Sequence, residues 1–230
     1  IGFSVLLERN LSKRNMEIAI GRFARLAQDA DVALFYYAGH GLQYRGVNYL
    51  APIDSRLEDE FSLSFDLTRL DDVLYALDQA RGVRILILDA CRDNPLLDRL
   101  SRTAMNRSYA PTRGLARIEP TRGMLIAYST QPNQVAIDGD GRNSPFASAL
   151  IKELNEPGVE VGALFRRVAA EVHRQTEGRQ LPELSLSLLG ELYLNTQETD
   201  LQAWARLRNS ENPADINAFI VRYPTSVLVP

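Results

Sequence analysis

Apolar positions along the chain fall into short unbroken runs, separated by stretches where they recur with a helical period. Val32 to Gly41 (VALFYYAGHG) and Val83 to Asp89 (VRILILD) are rich in β-branched and aromatic residues. Runs of this kind form strands buried on both faces of a parallel sheet. Gly123 to Ser129 (GMLIAYS) is a third such run, Gly2 to Glu8 (GFSVLLE) reads as another, and Glu191 to Asn195 (ELYLN) as a last short strand. Between them the period lengthens. Ser12 is placed to cap a helix reaching about Gln28, with Ile18, Phe23 and Leu26 on its inner face. Leu70 to Ala80 is an amphipathic crossover, Ser144 caps a helix with Pro145 at its first position running to about Asn155, and Glu160 to Thr176 follows. Gly41 to Asp54 has the pattern of a hairpin turning at Arg45-Gly46 and closed by Pro52. Strands alternating with helices predict an α/β domain whose mostly parallel central sheet carries helices on both faces. Beyond it, Thr199–Arg208 and Pro213–Tyr223 predict a helical tail over 196–230, anchored by Trp204 and suited to lead to a further module or partner.

One stretch breaks the alternation. Arg92 to Arg122 holds seven arginines against three acids, with Pro, Ser, Asn and Gly scattered through it. A connection of this length inside a compact domain is uncommon and is usually functional or unstructured. It reads either as a functional loop or as a solvated basic linker.

Composition narrows the function classes. The net charge of −3 argues against a general nucleic-acid binder. No apolar run approaches the roughly 18 residues of a membrane span. A single cysteine excludes an internal disulfide framework and a thiolate zinc cluster, and leaves cytoplasmic and periplasmic locations open. No glycine-rich phosphate loop follows a predicted strand, which ranks a nucleotide-binding domain last.

The chemistry concentrates where two core strands run out. In an open α/β sheet, reactive groups gather at the carboxyl ends of the strands. Cys91, the only cysteine, follows the Val83 run, and His40, one of two histidines, ends the Val32 run 51 residues earlier. A nucleophilic thiol needs a base within reach and donors for the developing oxyanion. His40 can be that base, and Gly41, lacking a side chain, lets its backbone N–H approach a substrate carbonyl. The alternative is a buried thiol and a satisfied core histidine. His173, among charged neighbours in mid-helix, reads as a solvated residue.

ALFYYAGHG and LILDACRDN, in this order and spacing, together with LIAYSTQPNQVAIDGDGRNSPFASAL at 125–150, resemble the caspase-like cysteine peptidases, in particular the bacterial metacaspase-type branch. The resemblance spans roughly residues 1–195. It implies a caspase-like three-layer sandwich with a large-subunit part at 1–91, a linker loop at 92–122 and a small-subunit part at 123–195. It also implies catalysis by His40 and Cys91, with the amides of Gly41 and Cys91 as oxyanion donors. The family's first core strand would lie before Ile1, so an upstream segment is expected to complete the sheet. Caspases place Gln two residues before the cysteine and Arg in the loop after the YST strand. Here those positions hold Asp89 and Asp138, and two carboxylates invert the pocket's preference towards a substrate Arg or Lys. Ser129 would contact a substrate extended along the Tyr128–Pro132 edge.

The expected function is therefore a cysteine endopeptidase cutting after Arg or Lys, and autoprocessing after Arg102, Arg107 or Arg113. The alternative is a catalytically silent caspase-like scaffold that binds a partner through its tail helices. No cofactor or metal is expected. Metacaspase relatives are often calcium-dependent, but no stretch here has the spacing of a calcium loop.

Overall fold

The computed structural model describes residues 2–91, 112–113, 115–131, 136–137, 139, 141–210 and 212–229, with the backbone alone for Cys91, Thr112 and Arg113. In chain order the elements are α1 (Lys13–Ala27), β1 (Val32–Tyr44), β2 (Val47–Ala51), α2 (Leu63–Asp66), β3 (Thr68–Arg69), α3 (Leu70–Leu77), β4 (Val83–Cys91), β5 (Thr112–Arg113) and β6 (Met124–Tyr128). They continue with α4 (Pro145–Leu154), α5 (Val161–Gln175), β7 (Glu183–Ser187), α6 (Asp200–Leu207) and α7 (Pro213–Arg222). The sheet order is β3-β2-β1-β4-β6-β7, with β5 added to β1.

The centre of the sheet is parallel, as the unbroken apolar runs require: β1 pairs with β4, and β4 with β6. β2 and β5 run against β1, and β7 against β6. Alternation along β4 divides its side chains between two cores. Ile85 and Ile87, with Leu125 and Ala127 of β6, pack on Phe146, Leu150, Leu164, Phe165 and Val168 of α4 and α5. Leu86, Leu88 and Ala90 pack on the opposite side, with Ile20 of α1 and Val73 and Leu77 of α3. Helices cover both faces, which makes three layers. Each large side chain so buried contributes roughly 1.5–3 kcal/mol, and a central strand is buried twice over, once per face.

Local chemistry accounts for the element boundaries. Ser12 accepts a hydrogen bond from the Asn15 N–H and caps α1. The β1–β2 hairpin turns on Arg45 and Gly46, both at positive φ (49° and 81°), the conformation of a type I′ turn. Thr199 and Gln202 form a complete capping box at the start of α6.

Several expectations are corrected. Gly2–Glu8 is not a strand: Val5 and Leu7 are exposed, and no described strand pairs with it. Apolar composition alone does not make a strand without a ladder partner. The inner face of α1 is Met16, Ile20, Phe23, Ala24 and Ala27, while Ile18 and Leu26 are solvent-exposed. Phe23 stacks edge-on against Phe35 of β1, which fixes that rotation. The final strand is Glu183–Ser187 rather than 191–195; Tyr193 makes only an isolated bridge to Glu160. In the tail the buried anchor is Phe219, against which Trp204 and Tyr223 pack at centroid distances of 5.2 and 5.1 Å. Within the basic stretch, Thr112–Arg113 forms a strand and Leu115 is buried; residues 92–111 and 114 lie outside the described residues.

Parallel pairing of β1 with β4 begins where two loops touch. Arg81 and Val83 donate their N–H groups to the carbonyls of Ala30 and Asp31 at 3.2 and 2.8 Å. Between them, a Cβ on Gly82 would stand 2.1 Å from the Asp31 carbonyl oxygen. Gly82→Ala is therefore expected to destabilise the protein by about 1–3 kcal/mol through a forced backbone shift, read as a lowered midpoint in urea unfolding. Gly190→Ala, with open space around its Cβ, is the control that should leave the midpoint in place.

Candidate active site

The register of β1 and β4 brings the two predicted catalytic residues together. Pairing runs from Val32↔Val83 without a break to His40↔Cys91, so both stand at the carboxyl ends of neighbouring parallel strands. On its other side His40 is paired with Ala51 of β2. The Tyr37 hydroxyl, reaching over Gly39, donates to the carbonyls of His40 (2.9 Å) and Ala51 (3.2 Å). A Cβ at Gly39 would stand 2.7 Å from that hydroxyl, so glycine there makes the reach possible. Burial raises the Tyr37 phenol well above its ordinary range, which keeps it a neutral donor. At Gly41 a Cβ would lie 3.0 Å from Leu115 Cδ2 and 3.3 Å from the Tyr49 carbonyl. The glycine thus also lets the strand end pack tightly.

Leu115 reaches this place because the chain after β5 is tied down. Thr112 and Arg113 pair with Gln43 and Leu42. The Asn48 side chain then grips Ala116 at both ends, donating to its carbonyl (2.9 Å) and accepting from its N–H (2.7 Å). Ile118 donates its N–H to the Tyr128 hydroxyl at 2.9 Å. Leu115 lines a small recess with Leu88, Ala90, Tyr128, Ser129 and Thr130.

Asp89, two residues before Cys91, is 9% exposed and is held by two hydroxyls. Tyr36 donates to its Oδ2 at 3.1 Å and Ser144 to the same oxygen at 2.6 Å. Tyr36 lies opposite Ile87, so Asp89 is its diagonal neighbour across the strand pair. Burial and then the Asp89 carboxylate push the Tyr36 phenol far above its ordinary value. The short Ser144 contact has the length of a charge-assisted O–H···O⁻ bond. Ser144 simultaneously accepts the Ala147 N–H at 2.9 Å as the cap of α4, so one hydroxyl serves both helix and carboxylate.

Ser129, at the end of β6, donates its N–H to the Leu88 carbonyl at 2.9 Å. Its hydroxyl is buried without a hydrogen-bond partner among the described residues. The Tyr128–Pro132 edge proposed for a substrate is partly occupied. Tyr128 is paired with Leu88 on one side and Glu183 on the other, and the Ser129 carbonyl accepts the Gln180 side chain at 2.7 Å. A strand added here begins no earlier than Thr130. Asp138, Arg102 and Arg107 lie outside the described residues. His173 is exposed near the end of α5. Among the described residues no three His, Cys, Asp or Glu side chains are grouped to hold a metal ion, and no helix is long and apolar enough to cross a membrane.

Sequence reasoning gave Ser144 as a helix cap and Tyr36 as part of a core strand, and both are so. Their convergence on Asp89 joins residues 53 and 55 positions apart, which no local pattern signals.

With this geometry in view, comparison with known proteins is decisive about ancestry. A family model described as the caspase domain, of peptidase family C14, matches residues 1–193. The chain belongs to the caspase-domain peptidases. Caspase-1 from Spodoptera frugiperda has a similar structure, with a TM-score of 0.54 at 19% identity over 85% of this chain and 77% of that one. The structure of pro-Sf-caspase-1 superposes with a TM-score of 0.53 at 20% identity, over 86% of this chain and 77% of that one. At this identity the likeness is one of fold. No curated protein sequence matches the chain. The mixed α/β architecture with helices on both faces is that of caspases, and the family assignment is to a class of cysteine peptidases.

The Asp89 cluster makes a quantitative expectation. Ser144→Ala removes a cap and a donor to a nearly buried carboxylate, and should cost about 2–4 kcal/mol, against about 1 kcal/mol for Ser12→Ala. A double-mutant cycle of Ser144→Ala with Asp89→Asn, by urea denaturation at neutral pH, should give a coupling of about 1–2 kcal/mol. Additive single mutants would mean that the 2.6 Å contact contributes nothing beyond the cap.

Proposed function

We propose that this caspase-domain protein is a cysteine endopeptidase that cleaves after Arg or Lys, using Cys91 as nucleophile and His40 as its base. The observation that carries this reading is the pairing of His40 with Cys91 at the ends of β1 and β4, two residues beyond a nearly buried Asp89. In the proposed reaction the thiol proton passes to the His40 imidazole and the sulfur attacks the substrate carbonyl. The amides of Gly41 and Cys91 hold the oxyanion. His40 returns the proton to the leaving amine, and water then releases the acyl group from sulfur, its proton again taken by His40.

Asp89 is the proposed anchor of the substrate cation, with Asp138 assisting from the loop after β6. Two hydroxyl donors on Oδ2 hold the carboxylate in one orientation. A guanidinium or ammonium group is the electrostatic complement of a carboxylate held in this way. Ser129, whose buried hydroxyl has no partner among the described residues, is the proposed neutral contact beside it.

Two further parts of the reading concern the rest of the chain. The edge of β1 from Val32 to Gly39 that faces away from β4 has no partner among the described residues, and we propose that a segment preceding Gly2 supplies a strand there. Autoprocessing within 92–122 is proposed after Arg102, Arg107 or Arg113. Cleavage after Arg113 would leave the stretch anchored by Leu115 and Asn48 in place. A tethered loop presents its bonds at an effective concentration of millimolar order, enough for cleavage at a poor site.

Cys91→Ala is expected to abolish hydrolysis of arginyl peptides with the unfolding midpoint unchanged, and residual activity within tenfold of the wild type would refute the nucleophile. Asp89→Asn should lose most activity on Arg and Lys substrates, a loss of about 2–5 kcal/mol in kcat/KM, because truncating one partner of a buried charged pair leaves the other unpaired. Equal cleavage of arginyl peptides by Asp89→Asn and the wild type would remove Asp89 from the pocket.

Intact masses of the wild type and Cys91→Ala test autoprocessing. Two fragments meeting at Arg102, Arg107 or Arg113 only in the wild type are expected. A wild type that is uncut yet active on peptides would make the loop a plain linker.

A further inference from the structure

Side chains along β1 alternate between faces, so Tyr37, Gly39 and Gly41 lie in one row. The Tyr37 ring packs against the core that α1 and α3 cover. Because Gly39 has no side chain, the ring can lie along the strand and bring its hydroxyl to the strand end. There it donates to the carbonyls of His40 at 2.9 Å and Ala51 at 3.2 Å. The β1–β2 ladder already pairs these two residues, so the hydroxyl is not needed to join the strands.

A carbonyl and the N–H that follows it belong to one planar peptide unit and point in opposite directions. The His40 oxygen that Tyr37 holds is therefore coupled rigidly to the N–H of Gly41. The hairpin register fixes the side to which that N–H turns. The two-residue turn at Arg45 and Gly46 makes Tyr44 and Val47 the first hydrogen-bonded pair. Hydrogen-bonded pairs alternate along an antiparallel ladder, so His40 turns its carbonyl towards β2 and Gly41 turns its N–H the other way. That side is the end of β4, where Cys91 is paired with His40.

We propose that Tyr37 is a positioning residue for the oxyanion site, its hydroxyl on the His40 carbonyl fixing the direction of the Gly41 N–H. The inference rests on the reading of the Gly41 amide as a donor to the oxyanion formed when Cys91 attacks. Donors set in place beforehand stabilise a developing charge best, because they need not turn when it forms. The peptide unit of His40 and Gly41 stands at the last pair between β1 and β4, where the ladder restrains it least. The Tyr37 hydroxyl restrains it from the carbonyl side. It also polarises the unit, since a donor on the carbonyl makes the opposite N–H a stronger donor in turn.

The test uses the whole chain and two variants. Tyr37→Phe keeps the ring and loses only the hydroxyl. Gly39→Ala keeps the hydroxyl but sets a methyl group 2.7 Å from its oxygen and 2.9 Å from Cζ, which displaces it. In both, kcat for peptide hydrolysis should fall about tenfold with KM within about twofold of wild type. That is less than the roughly 10²–10³-fold lost when an oxyanion donor itself is removed. Alkylation of Cys91 by iodoacetamide forms no oxyanion, so its rate should stay within about twofold of wild type, with the same pH midpoint. A folded Tyr37→Phe with wild-type kcat would overturn the proposal. So would a loss carried in KM, or an equal loss in kcat and alkylation, which would place the effect on the thiol and imidazole instead of the amide. If Tyr37→Phe does not fold, Gly39→Ala decides by the same criteria. The oxyanion does not depend on the residue cleaved, so a wild type that cuts other peptides but not arginyl ones is compared on those. A wild type that cuts no peptide in a mixed-sequence library overturns the endopeptidase reading and this proposal together, whereas an active wild type matched by Tyr37→Phe overturns this proposal alone.

Discussion

The parallel register of β1 with β4 is the constraint on which everything else depends. It begins where Arg81 and Val83 meet the carbonyls of Ala30 and Asp31, around a glycine that leaves no room for a side chain. From there nine successive pairs lead to His40 beside Cys91. Side chains alternate between faces with a period of two, so a slip of one residue would move the apolar set of β4 to the wrong core and separate the pair. The two hydrophobic cores therefore enforce the geometry of the site. Ile85 and Ile87 need α4 and α5, and Leu86 and Leu88 need α1 and α3. The strand ends inherit a register that packing has already selected.

Around those ends the structure uses polar side chains as spacers of backbone. Tyr37 holds the carbonyls of His40 and Ala51, Asn48 holds both ends of Ala116, and Gln180 holds Ser129 and Ile137. Tyr37 reinforces a ladder pair at its end, while Asn48 and Gln180 join segments that no ladder joins. Loop residues placed in this way approach the precision of strands, because a satisfied buried amide or phenol has few alternative partners.

Asp89 shows how a charged group is kept at the edge of such a core. Carboxylates are seldom nearly buried without partners. Here two hydroxyls meet one oxygen, and one of them, Ser144, also starts α4. Stability of that helix and orientation of the carboxylate are thereby the same problem.

The local elements were legible in the chain because their causes are local. The runs at Val32 and Val83, the Arg45-Gly46 turn, and the caps Ser12 and Ser144 all sit where residue type and spacing place them. The caspase resemblance was legible in the motifs around His40 and Cys91, and the family match agrees with it. Elements whose formation depends on a neighbour were not. Gly2–Glu8 has strand composition without a pairing partner among the described residues, and Glu183–Ser187 is a strand because the edge of β6 was available to it. The rotation of α1 followed from Phe23 against Phe35, a contact the helical period alone leaves undetermined. The same holds at the site. Sequence by itself determined which residue types stand at the strand ends. Only the tertiary structure decided that Tyr36 and Ser144 meet Asp89, and that Gln180 meets Ser129 and Ile137. Hydrogen bonds between residues some fifty positions apart are set by which strands adjoin, and that is a property of the packed sheet.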